Sequence, residues 1–166
     1  MAVVDADHVD RLVEQWRNVR PDLELGPMAT FGRLGRLHTH ASRAIEEVFR
    51  RHGLSIGEFD VLAALRRAGA PHVMTPTALA RLVMLSPAGM TNRLDRLEAA
   101  GLVARRPDPD DRRSSLVVLT EAGLALADTA VTEHVANENA LLAALTRAER
   151  RTLDELLHKL LASMER

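Results

Sequence analysis

Apolar residues along this chain recur with two different periods. Val9, Leu12, Val13, Trp16 and Val19 lie three and four apart, which predicts an amphipathic helix over 7–20 that Pro21 ends. A connector runs to Pro27, which suits a first helical position. Phe31, Leu34, Leu37, Ala41, Ile45 and Val48 then carry a helical stripe to Gly53. Ser55-Ile56-Gly57-Glu58 has the capping-box pattern and opens a third helix through Phe59, Leu62 and Leu65 to Gly69. Thr75-Pro76 starts a short helix with Leu79, Leu82 and Val83 inward. Ser86-Pro87 starts the next, with Met90, Leu94 and Leu97 on one face and Gly101 at its end.

The period then changes. Residues 102–106 and 115–119 are short, β-branched-rich segments flanking the polar turn Pro107-Asp108-Pro109-Asp110-Asp111-Arg112-Arg113, and together they predict a hairpin. Helical spacing returns after Thr120, which can cap a helix over 121–144. Thr146-Arg147-Ala148-Glu149 is a second capping box before a terminal helix carrying Leu153, Leu156, Leu157, Leu160 and Leu161. The expected fold is mainly α, with seven helices and one small β-hairpin. Its expected parts are an additional N-terminal helix and connector (1–26), a helical dimerisation region (27–55 and 121–166) and a DNA-binding region (56–120).

Composition narrows the function classes. The chain has 166 residues, no cysteine and 2% aromatics. Disulfides, thiolate metal sites and thiol nucleophiles are therefore excluded, and there are too few rings for a base-stacking platform. No apolar run is long enough for a membrane span and no secretory pattern opens the chain, so a cytoplasmic location without membrane contact is expected. His38-Thr39-His40, His52, His134 and His158 show no metal-ligand pattern, and no metal or cofactor is expected. His38, by its position on a long helix, would meet its symmetry mate in a dimer and make it pH-sensitive. No nucleophile elbow, phosphate loop or HExxH is present, so an enzyme is not expected.

The net charge of −1 hides an uneven layout. Residues 1–25 carry three Arg against six acids, and 26–74 seven Arg against four. Residues 75–119 carry seven Arg against five acids, and 121–166 five bases against eight. A basic middle between acidic ends permits a phosphate-binding face without a basic protein overall.

Two short helices joined by a tight turn and followed at once by a hairpin outline a winged helix-turn-helix. Its second helix would enter the major groove, where base edges carry a distinguishable donor and acceptor pattern. That helix offers Ser86, Ala88, Gly89, Thr91, Asn92, Arg93 and Arg96, and Thr75 opens the helix before it. Arg112 and Arg113 at the hairpin tip, beside Asp110 and Asp111, are suited to a narrow minor groove. Without the hairpin, the two helices read equally well as a helical hairpin with solvated charges.

Residues 79–119, including SPAGMTNRLDRLEAAGLV and DPDDRRSSLVVLT, resemble the MarR family of bacterial transcription regulators. That family's D-x-R wing signature falls on Asp111 and Arg113. The resemblance extends from about residue 28 to the end of the chain. It implies a homodimer whose first long helix and last two helices interlock, reading a near-palindromic double-stranded operator. It also implies target genes that include the regulator's own and a neighbouring transporter or catabolic gene.

The helix before residue 28, with its Trp, resembles the PecS-like, urate-responsive branch. That likeness implies urate as a small-molecule effector held by Trp16, Asp60, Arg93 and Arg105. The chemistry is coherent: two guanidiniums for the anionic and carbonyl edge, a carboxylate for ring N–H groups and an aromatic wall.

Each of the four also has a plainer reading. Trp16 would anchor an amphipathic helix, and Asp60 would pair with Arg66 or Arg67 on a solvated face. Arg93 would contact phosphate or a base, and Arg105 would be a solvated strand-end base. Two rival functions stay open, a MarR-type regulator answering phenolic compounds and a winged-helix module that binds protein. The latter would lack the steep salt dependence of Arg–phosphate contacts.

Overall fold

The computed structural model describes residues 5–84, 86–109 and 114–165. Its elements, in order, are α1 (His8–Val19), α2 (Gly26–Arg51), α3 (Ile56–Arg67), β1 (Val73–Met74), α4 (Pro76–Leu82), α5 (Pro87–Ala99), β2 (Val103–Pro107), β3 (Ser115–Leu119), α6 (Glu121–Leu141) and α7 (Arg147–Met164). All seven expected helices are present, and the expected hairpin is β2–β3. The sheet, however, has three strands in the antiparallel order β1-β3-β2. Strand β1 adds Val73 and Met74 opposite Val118 and Val117. Two residues carry no readable alternation, which is why the hydrophobic pattern shows only the hairpin.

The chain divides between Ala44 and Ile45 into two compact units. In the first, Val9, Val13 and Leu25 form a small buried cluster with Ala29 beside it. Gly32 makes this packing feasible: a Cβ there would stand 3.1 Å from Cγ1 of Val9. Asp7 caps α1 by accepting from the N–H groups of Val9 and Asp10. Arg33 reaches back to Asp7 at 3.0 Å and to Asp10 at 2.5 Å. These hydrogen bonds hold both carboxyls below their ordinary pKa, in Asp7 chiefly through the Asp10 N–H and in Asp10 chiefly through Arg33.

The second unit holds the main core. Helix α3 is buried from Gly57 through Leu65 save for Asp60, and Val48, Phe49, Leu79, Met90, Leu94, Leu97, Val103 and Val117 pack in the same cluster. The rings of Phe49 and Phe59 stack at 4.1 Å. Register runs from Val103 opposite Leu119 to Pro107 opposite Ser115. Thr120 joins three elements. Its hydroxyl lies 2.8 Å from the Gly101 carbonyl oxygen and accepts from the Gly123 N–H at 3.0 Å. A Cβ on Gly123 would stand 1.9 Å from the Leu102 carbonyl oxygen, so α6 starts flush against the α5–β2 junction.

Helix α7 has no buried residue although it carries five leucines. The expected α2 stripe is likewise helical in spacing but not in burial: Phe31 is 60% exposed and Leu37 57% exposed, and only Val48 and Phe49 of this helix are buried. Periodicity locates an apolar face without saying whether the same chain covers it.

Candidate nucleic-acid interface and ligand residues

Helices α4 and α5 begin alike, each with a hydroxyl N-cap followed by proline. Thr75 accepts from the Ala78 N–H and Ser86 from the Gly89 N–H, both at 3.2 Å. Each oxygen is used as an acceptor, and a hydroxyl that accepts can still donate its hydrogen to a phosphate. Val83 ends α4, and Met84 takes φ 51° in the turn that follows.

Met90, Leu94 and Leu97 bury one face of α5. Spacing of 3.6 residues per turn then places Ala88, Thr91, Asn92, Asp95 and Arg96 on its exposed side. Gly89 is half-buried near the start of the helix. This presents the polar surface that major-groove reading requires. Arg96 lies 3.9 Å from the Glu58 carboxylate, whose other oxygen is held by the Ser55 N–H and hydroxyl, each at 2.7 Å. The expected wing contacts Asp111, Arg112 and Arg113 lie outside the described residues. The strands leading to them are in place, and the Asp108 N–H donates to the Ser114 carbonyl at 3.2 Å.

Arg93 turns away from that exposed side and lies over the start of α3. A Cβ on Gly57 would fall 2.0 Å from the guanidinium, so a side chain there would displace Arg93 from this seat. The same guanidinium lines a cavity of about 420 Å³ with Glu46, Arg50, Leu54, Ser55, Ile56 and Gly57. Asp60, half-buried one turn further along α3, is the carboxylate that senses Arg93. Burial pushes its carboxyl above the ordinary value of 3.8, opposed by the charges of Arg93, Arg67 and His134. The pairing expected with Arg66 is not made, because Arg66 bonds Asp128 at 2.7 Å across to α6.

Arg105 is neither a free ligand for an anion nor a solvated strand end. Its guanidinium lies 2.6 Å from Asp95 and 3.1 Å from Glu98, two carboxylates on α5. Trp16 belongs to the first unit and is 44% exposed, so Val9 and Val13 anchor α1 instead. Its ring lines a cleft of about 280 Å³ between α1 and α2 with His8, Leu12, Met28, Gly32 and Arg36. The sequence pattern singles out Arg93 and Asp60, which lie within electrostatic reach of one another, but not Asp95 and Glu98, which hold Arg105. Their signal was available: two acids three apart on an otherwise DNA-suited helix, just ahead of a strand bearing Arg.

Among the described residues, no cluster of three or more His, Cys, Asp or Glu is arranged to hold a metal, and no helix is long and apolar enough to cross a membrane. His38 and His40 are exposed on α2.

Residues 52–114 match the MarR family model. The chain is 44% identical over 149 residues to the HTH-type transcriptional regulator PecS of Dickeya dadantii (strain 3937), covering 90% of each chain. Among solved structures it is similar to a cysteine-to-serine mutant of MarR from E. coli complexed with operator DNA. That match has a TM-score of 0.67 and 28% identity, covering 88% of this chain and 97% of the other. It is also similar to BpsR of Bordetella bronchiseptica, whose DNA binding is regulated by 6-hydroxynicotinic acid. There the TM-score is 0.65 with 28% identity, over 76% of this chain and 89% of the other.

Proposed function

The chain belongs to the MarR family of DNA-binding transcriptional regulators, and on that premise we propose that it is a homodimeric repressor released from a palindromic operator by a small anionic aromatic ligand, urate foremost. The observation that carries the DNA-reading part is α5, buried by Met90, Leu94 and Leu97 on one side and polar on the other, with the hairpin directly behind it. In this reading Thr75, Ser86, Ala88, Gly89, Thr91, Asn92 and Arg96 face the operator, Arg93 would have to swing out from Gly57 to join them, and Asp111, Arg112 and Arg113 serve the wing.

The dimer is supported by α7, which buries no residue and leaves Leu156, Leu160 and Leu161 exposed. A second copy would cover them symmetrically and set two recognition helices one helical turn of DNA apart.

The effector reading assigns Trp16, Asp60, Arg93 and Arg105 to the ligand. The charge of Arg93 already acts on the Asp60 carboxyl. A planar anion between them would gain a charge-assisted hydrogen bond from the guanidinium and one acceptor for its own N–H. Arg105 would have to release Asp95 or Glu98 to join. A hydroxylated aromatic acid is the second reading, favoured by the ligand of BpsR.

Both are tested by titrating the protein against the DNA upstream of its own gene with urate, salicylate or neither. Release by urate alone supports the first reading and release by salicylate alone the second. Tight binding indifferent to both removes the effector assignment while leaving the regulator. Absence of any salt-dependent affinity would remove the DNA-reading role itself.

A further inference from the structure

Arg105 sits in the middle of β2, opposite Val117 of β3, yet its side-chain contacts run back to α5. Its backbone N–H donates to Oε1 of Glu98 at 3.0 Å, while Nη1 donates to Oε2 of the same carboxylate at 3.1 Å. Nη2 pairs with Asp95 at 2.6 Å and approaches the Thr91 carbonyl oxygen at 3.4 Å. Thr91, Asp95 and Glu98 lie on successive turns, so one residue of the strand bears on about 10 Å of helix at 1.5 Å rise per residue.

We propose that Arg105 is a positioning residue for DNA reading: with Asp95 and Glu98 it sets the angle between the recognition helix and the wing. The proposal rests on the DNA-reading role given above to α5 and the hairpin. The covalent link between α5 and β2 is only Ala100-Gly101-Leu102, with Gly101 at φ 71°. A link at one end of a helix leaves rotation about that end. The apolar face of α5 shares the core with Val103 of β2, and the Arg105 contacts add a polar attachment along the opposite, exposed side, which fixes the angle from both faces.

A lone ion pair at this exposure would contribute little. The planar guanidinium instead grips two carboxylates at once while the backbone adds a third bond, a geometry that an ammonium cannot reproduce. Asp95 and Glu98 would otherwise repel the phosphates that the helix approaches. Their charges are tolerable there because Arg105 faces them.

That last point offers a competing account, in which Arg105 merely neutralises two unwelcome acids. Three variants separate the two, each measured for affinity and footprint on a DNA fragment that the wild-type protein protects. Arg105→Lys keeps the charge and loses the fork. It should bind on the order of tenfold more weakly, the size of a broken charge network, with protection lost on the hairpin side and retained in the major groove. The double variant Asp95→Asn, Glu98→Gln removes the acids and keeps Arg105, and it should weaken binding in the same pattern. Exchanging the charges, Arg105→Glu with Glu98→Arg, should recover hairpin-side protection relative to Arg105→Glu alone. Wild-type affinity and footprint in Arg105→Lys, or tighter binding by the double variant, would overturn the positioning role in favour of simple neutralisation. Failure of the DNA-reading assignment would look different, because the wild-type protein would then protect no fragment at all.

Discussion

In α3 the Ser55 hydroxyl accepts from the Glu58 N–H at 3.3 Å, and the Glu58 carboxylate returns to the Ser55 N–H and hydroxyl, each at 2.7 Å. In α7 Thr146 and Glu149 repeat the motif at 3.3, 2.7 and 2.8 Å. The two helix starts are interchangeable as local structures. Beyond them, α3 runs through the core with Val61, Leu62 and Leu65 inaccessible, while α7 buries nothing. Local sequence decides that a helix starts. What the helix is for depends on whether the rest of the chain reaches it.

The difference can be broken most severely from the α7 side. Removing residues 146–166 should abolish operator binding and shift sedimentation from dimer to monomer, because in the proposed dimer a second copy covers the exposed leucines. A folded monomer that still binds DNA would show that α7 is idle. Next in size, Leu62→Ala should destabilise the fold by about 2–5 kcal/mol in chemical denaturation, the usual result of emptying a close-packed core position. Leu160→Ala should leave the unfolding of the isolated protomer almost unchanged and weaken dimerisation instead. Its denaturation midpoint should therefore depend on protein concentration more than that of Leu62→Ala.

The caps themselves sharpen the comparison at smaller scale. Ser55→Ala should cost about 1–2 kcal/mol, because Glu58 is only 9% exposed and would lose the hydroxyl that satisfies it. Thr146→Ala should cost less, since water can replace the lost partner of the exposed Glu149. Equal losses in thermal melts would mean that burial does not modulate the motif.

The smallest effect concerns Asp60. Its carboxyl titrates above the ordinary 3.8 because it is desolvated, so between that value and its raised one the folded state holds more protons than the unfolded. Stability should therefore fall as pH rises through that window. Asp60→Asn should remove this slope and raise the melting temperature slightly at neutral pH. An unchanged slope would place the titration elsewhere.

Helices were legible here because caps and spacing are local: every cap read from the chain (Ser55, Thr75, Ser86, Thr120, Thr146) is made, and Asp7 adds one that was not read. Strand β1 was not legible, since its pairing depends on Val117 and Val118, far along the chain. The candidate site divides in the same way. The exposed face of α5 follows from its apolar spacing. The hold of Asp95 and Glu98 on Arg105 does not, because it arises only when β2 folds back along the helix. Nor could spacing show that Arg93 leaves that exposed side to lie on Gly57. A missing Cβ is a vacancy whose tenant the sequence does not name.

The joint at Thr120 has a mechanical meaning. With its hydroxyl on the Gly101 carbonyl and Gly123 pressed to the Leu102 carbonyl, the start of α6 has no slack against the end of α5. Further along, Ala127 and Ala130 enter the main core and Asp128 pairs with Arg66, so α6 is fixed to the end of α5 and to α3 alike. Thr120 is the rivet at which β3, α6 and the turn after α5 are fastened together.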